Sequence, residues 1–197
     1  MTDKVAALVK QINDLEDELE HEFERRRKAF NFRIEQGRVI FEQDILKQQK
    51  AIRQRLRSYI AGARVLVVLT APVIYSMIVP LVFLDVFVTI YQAICFPVYK
   101  IPKTVRADYI TFDRKHLSYL NGLEKLNCIY CSYGNGVLAF TREIAARTEL
   151  YWCPIKHAKR MSGLHHHYPE FAEYGDAEQY QSRVRALRGT TQNTDAP

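Results

Sequence analysis

The sequence predicts a mainly α-helical protein: a long, coiled-coil-like N-terminal helix, a membrane hairpin or re-entrant segment, and a small helical Cys/His metal-binding domain. Three observations carry this. Apolar residues near the N-terminus recur every eleven positions, and an apolar run with a single charge follows. Three of the four cysteines in 197 residues then lie around one helix-length stretch, with a histidine just beyond. The parts are residues 1–58, 59–99 and 100–177, followed by a short helix and disordered tail over 178–197.

From Asp3 to about Ile60 there is no proline and a single glycine, Gly37. One apolar row reads Leu8, Leu19, Phe30, Phe41 and Ile52; a second, four residues on, reads Ile12, Phe23, Ile34, Ile45 and Leu56. Eleven residues in three turns is ~3.67 per turn, close to the α-helical period. A stripe that is apolar on one side needs a cover. No other segment is long enough to supply it, so self-association into a parallel bundle is expected. The alternative is a helix that breaks near Gly37 and folds back. Acidic residues from Asp14 to Glu24 precede the basic run Arg25, Arg26, Arg27 and Lys28, which reads as a solvated face. A basic run adjoining an acidic one is a poor fit to nucleic acid.

Between Arg64 and Lys100 the only charge is Asp85. The run far exceeds the ~18 apolar residues that mark a membrane helix. Pro72, Pro80 and Pro97 punctuate it. Lys47, Lys50, Arg53, Arg55, Arg57 and Arg64 lie upstream, and Lys100, Lys103 and Arg106 downstream. Positive flanks mark the cytoplasmic side. Both ends are therefore expected on that side, joined by a hairpin or re-entrant turn near Pro80. The alternative is one tilted crossing followed by an interfacial segment. Asp85 is a candidate for lining a pore or relaying protons, since an ionisable residue in such a segment is functional by default. A hydrated position near the far interface explains it equally.

Cys128-Ile-Tyr-Cys131 is followed by the turn-forming Gly134-Asn135-Gly136, a helix-like stretch, and then Cys153 and His157. Two thiolates in a tight turn and a second pair returned by a helix would give a tetrahedron of three sulfurs and one nitrogen. Zinc is the expected metal. An iron–sulfur cluster is the alternative, and a redox-active Cys128/Cys131 pair another. His165, His166 and His167 read as an exposed loop, or as the source of the fourth ligand in place of His157. Cys95 in the apolar run reads as apolar filling.

The N-terminus has no secretory signal, so the cysteines are expected in a reducing compartment where metal binding outranks disulfides. There is no nucleophile motif, phosphate-binding glycine loop or dinucleotide fingerprint. Tyr119, Tyr130, Tyr133, Tyr151 and Tyr168 suit a domain lying against a membrane interface. "LNCIYCSYGNGVLAF", "REIAARTELYWCPIKHA" and "EYGDAE" resemble segments of an uncharacterised bacterial membrane-protein family, over roughly residues 105–177. That resemblance carries no activity and implies a bacterial inner-membrane setting. The expected function is an oligomeric integral membrane scaffold or assembly protein with a structural zinc site, both termini cytoplasmic. Its partners would be the lipid bilayer and further copies of itself, with no nucleic acid. The rivals are a redox protein or enzyme using the cluster or thiol pair, and a channel or transporter using Asp85.

Overall fold

The computed structural model describes residues 3–28, 32–35, 38–41 and 43–193, and the chain is mainly helical. Its elements in order are α1 (Asp3–Lys28), β1 (Phe32–Glu35), β2 (Arg38–Phe41), α2 (Gln43–Ala51), α3 (Leu56–Ala61), α4 (Val65–Ser76), α5 (Ile78–Tyr99), α6 (Gly122–Trp152) and α7 (Ala177–Asn193). The chain divides into two compact units. One holds Pro80–Ile110 and Gly136 onward, the other Ala7–Val79 and Thr111–Asn135.

The eleven-residue rows do not form one helix. Leu8, Ile12, Leu15, Leu19 and Phe23 lie on α1 and stay exposed. Phe30 lies outside the described residues, and Ile34 and Phe41 fall in an antiparallel pair that sets Phe32 opposite Phe41 and Ile34 opposite Val39. The reason is local. Phe, Ile and Val flank a glycine-containing two-residue connection, a stronger hairpin signal than a helical one. On α1 the charged face behaves as a solvated surface: Lys10 donates to Asp14 at 2.8 Å, and Arg25, Arg26 and Arg27 pair with Glu22 and Glu20. Exposed pairs of this kind contribute little stability.

α4 and α5 form one apolar helix of 35 residues, Val65–Tyr99, in place of the expected hairpin. Pro80 is the third residue of α5, within its first turn, a position that tolerates proline. It does deprive the Ser76 carbonyl of its partner four residues on, and the break between α4 and α5 falls there, at Met77. The hydroxyls of Thr70 and Ser76 bond back to Leu66 and Val73 carbonyls at 2.9 and 2.8 Å, hiding their polarity inside the helix.

α5 is two-faced. Asp85, Gln92 and Phe96, spaced by seven and four, are buried; Val79, Phe83, Phe87, Ile90, Ile94 and Val98 are exposed. The helix ends in a Schellman cap. The Ile101 N–H reaches back to Phe96 O at 2.9 Å and the Lys100 N–H to Pro97 O at 3.3 Å, with Lys100 at φ +56°. Ile101 and Phe96 also share the buried cluster with Phe140 and Ile144. This apolar contact across the cap offsets the cost of a left-handed lysine.

The cap turns the chain into a strap, residues 101–106, that is held from two sides. The Gln92 side chain accepts the Thr104 N–H at 2.7 Å and donates to Thr104 O at 3.2 Å, pairing it as a neighbouring strand would. Arg147 on α6 donates to Pro102 O at 2.9 Å. Tyr91 meets Thr148 Oγ1 at 3.0 Å; Thr148 spends its own proton on Ile144 O at 2.7 Å, so Tyr91 is the donor.

α6 starts earlier than the sequence suggests and runs through Gly134-Asn135-Gly136 without turning. Asn121 Oδ1 accepts the Leu123 and Glu124 N–H groups at 3.0 and 3.1 Å, while Glu124 accepts the Asn121 N–H at 2.8 Å, a capping box. The Asn135 amide bonds back to Cys131 O at 2.9 Å. Gly136 serves packing: a Cβ there would stand 2.6 Å from Tyr109 O. In the other unit, Tyr75 of α4 bonds Asn127 and packs edge-on against Tyr130, whose hydroxyl donates to Ile74 O at 2.6 Å.

After α6 a loop closes on itself. Lys156 N–H bonds Ala172 O and Ala172 N–H bonds Pro154 O, both at 2.8 Å. Gly175, at φ +87°, leads to Asp176, which caps α7 through the Gln179 N–H at 3.0 Å. Val184 and Leu187 bury α7, and the helix continues to Asn193, past Arg188 where a disordered tail is expected. The last four residues lie outside the described ones.

Candidate functional site

Two polar constellations lie in the unit built from α5, the strap, the second half of α6 and α7. The first is Asp85, 8% exposed on the inward face of α5. Arg106, at the end of the strap, donates to both its oxygens: Nε to Oδ1 at 2.9 Å and Nη2 to Oδ2 at 2.6 Å. Such a fork satisfies a carboxylate in both charge and geometry. Asp85 is thus held in an ion pair with Arg106, a basic residue of the downstream flank.

The second constellation was half legible. α6 projects Glu143 and Arg147 from one face, and Arg147 Nε donates to Glu143 Oε1 at 2.7 Å. Arg142 donates to the Gly163 and Leu164 carbonyls, where Gly163 takes φ +72°, and so fixes the loop just ahead of the histidine run. His165 Nε2 sits 3.0 Å from Glu149 Oε2. His166 Nδ1 lies 3.7 Å from Glu143 Oε2, and His167 Nε2 lies 3.9 Å from Glu143 Oε1. Ligand atoms of Glu143, His166 and His167 all fall within 4.8 Å of one another.

The electrostatics follow from this crowding. Partial desolvation, together with the neighbouring His167, holds the His166 imidazole below its usual range against the pull of Glu143, although much of the side chain reaches solvent. It is therefore neutral near pH 7. The neighbouring His167 holds the Glu170 carboxyl below the usual range despite partial burial. His167 Nδ1 faces Glu170 Oε1 at 4.0 Å, while Nε2 is buried without a hydrogen-bond partner. His165 Nδ1 is likewise buried and unpartnered.

The four sulfur-site candidates stand differently from the expectation. Cys128, half-buried, and Cys131, exposed, are part of α6, and Cys153 directly follows its last residue. An unbroken helix provides none of the reversal that a knuckle built on Cys128 and Cys131 needs. His157 stacks on Tyr168, whose hydroxyl accepts the His157 N–H at 2.7 Å. All four cysteines are free, and Cys95 is half-buried on α5. Glu143, four residues before Arg147, reads in sequence as half of an ordinary helical ion pair, which it is, and nothing in that spacing reveals the histidines beside it.

Comparison of the chain with protein-family models, with curated proteins and with solved structures finds no match.

Proposed function

We propose that this chain is a membrane-anchored, self-associating assembly protein of a bacterial inner membrane. The observation that carries the reading is the two-faced apolar helix. Its inward row is tied to the strap and α6 by Asp85, Gln92, Tyr91 and Phe96, whereas Val79, Phe83, Phe87, Ile90, Ile94 and Val98 are exposed among the described residues. Lipid is the cover that suits an outward row without a charge. Tyr99, Tyr151 and Trp152 cluster at the end of α5, with ring centroids 5.2–5.4 Å apart, as aromatic residues do at an interface. A helix of this length spans ~52 Å against a ~30 Å hydrocarbon core, so part of it tilts or lies in the interface.

The N-terminal flank, with its six basic residues up to Arg64, is the cytoplasmic one; downstream, Arg106 is already committed to Asp85. The uncovered stripe of α1 supports self-association through that helix. The paired state of Asp85 favours the assembly reading over a channel.

The test is extraction of membranes from cells expressing the full chain. The protein should resist alkaline carbonate and yield only to detergent, and its detergent-corrected mass should exceed one chain. Recovery in the soluble fraction would end the anchor reading; a monomeric mass would end the self-association reading.

A further inference from the structure

We propose that Glu143, His166 and His167 form a binding site for one divalent transition-metal cation, zinc being the ion that fits the donor set. This site is independent of the membrane reading and of the sulfur site expected from the cysteines.

The donors are two imidazole nitrogens and one carboxylate oxygen, a set that zinc uses where a fourth position stays open. Ligands at the ~2.0–2.1 Å distances of zinc stand roughly 3.4 Å apart in a tetrahedron. His166 Nδ1 stands 3.7 Å from Glu143 Oε2, His167 Nε2 stands 3.9 Å from Oε1, and the three ligand atoms fall within 4.8 Å of one another, so a bound ion draws the two rings and one carboxylate oxygen closer together.

A second observation points the same way. His167 Nε2 is buried and has no hydrogen-bond partner, an arrangement that costs stability in a site designed for nothing. The other nitrogen of the same ring faces Glu170. A carboxylate behind one ring nitrogen orients the opposite lone pair toward a metal.

The ligands are also held in advance. Arg142 pins the carbonyls of Gly163 and Leu164, and a single parallel bridge between Ile155 and Ala172 closes the loop behind the histidines. Arg147 engages Oε1 of Glu143 and leaves Oε2 facing His166. Its positive charge opposes a cation, and Glu149 and Glu170 beside the histidines offset it. His166 is 65% exposed at its side chain, so a metal here is reached from solvent and keeps an open coordination position.

The experiment uses the full chain, purified in detergent and stripped of metal, with cobalt(II) as the spectroscopic probe and zinc as competitor. The expected result is one cobalt per chain with weak visible bands and no sulfur-to-metal charge transfer, displaced by zinc. Binding should survive when Cys128, Cys131 and Cys153 are all replaced by serine. His166→Ala and His167→Ala should each weaken zinc binding by more than the roughly 10–100-fold that loss of an outer-shell partner costs. His166→Ala touches an exposed side chain, so its metal-free unfolding should match the parent and separate ligand loss from misfolding. Sulfur charge transfer, loss of binding in the serine variant, undiminished binding in both histidine variants, or no binding by the parent would each overturn the site.

Discussion

Arg106 closes a two-pronged bond on Asp85 from the far end of the strap that follows the apolar helix, at 2.9 and 2.6 Å. The pair fixes where the strap ends against α5, and Gln92 with Thr104 fixes its middle. An apolar helix that keeps an aspartate on its inward face needs such a partner, because an unpaired charge there is costly.

The two ends of this pair should not be equivalent. Asp85 is nearly buried while the Arg106 side chain is 44% exposed. Arg106→Gln removes the two-pronged charge-assisted bond from a nearly buried carboxylate and should cost about 3 kcal/mol. Asp85→Asn leaves an arginine that reaches solvent and should cost about 1–2 kcal/mol. Thermal unfolding in detergent measures both, and equal costs would contradict the asymmetry.

Gly136→Ala should destabilise the chain by about 1–3 kcal/mol, because the new methyl group meets a backbone oxygen of the neighbouring segment. Gly122→Ala has nothing within 4 Å and should be neutral or slightly stabilising. Denaturant titration of the two variants side by side separates packing from helix propensity.

Phe96 and Phe83 lie on opposite faces of one helix. Phe96→Ala empties a fully buried position and should cost about 3–5 kcal/mol in detergent. Phe83→Ala, at an exposed position, should change unfolding in detergent by less than about 0.5 kcal/mol. It should still weaken partition of the chain into vesicles, read by flotation.

Asn121→Ala removes the side chain that caps α6 and should cost about 1 kcal/mol. Amide exchange localised to residues 122–126 reports it, and protection unchanged from the parent would show that α6 does not depend on this cap.

Much of this fold is visible in the residues, and the failures share a cause. The apolar run, α1 and its uncovered stripe are read directly from periodicity. Ile34 and Phe41 satisfy an eleven-residue beat and a two-residue strand alternation at once, so periodicity alone could not tell helix from hairpin. Gly134-Asn135-Gly136 has turn chemistry, yet the Asn121 capping box upstream already commits the chain to helix, and Gly136 answers to a neighbour far away in sequence. Pro80 reads as a turn until its place in the first turn of α5 is known. The histidine run was legible as a metal candidate; its carboxylate partner, Glu143, lies more than twenty residues away and belongs to another element.

The most direct test of the account is a nitroxide attached at Phe87→Cys in a chain whose own cysteines are replaced by serine, reconstituted in vesicles. Phe87 belongs to the outward row of α5 and is 68% exposed. The account predicts relaxation by dissolved oxygen well in excess of relaxation by a water-soluble nickel chelate. Ready collision with the chelate would place that row in water and contradict the membrane anchor.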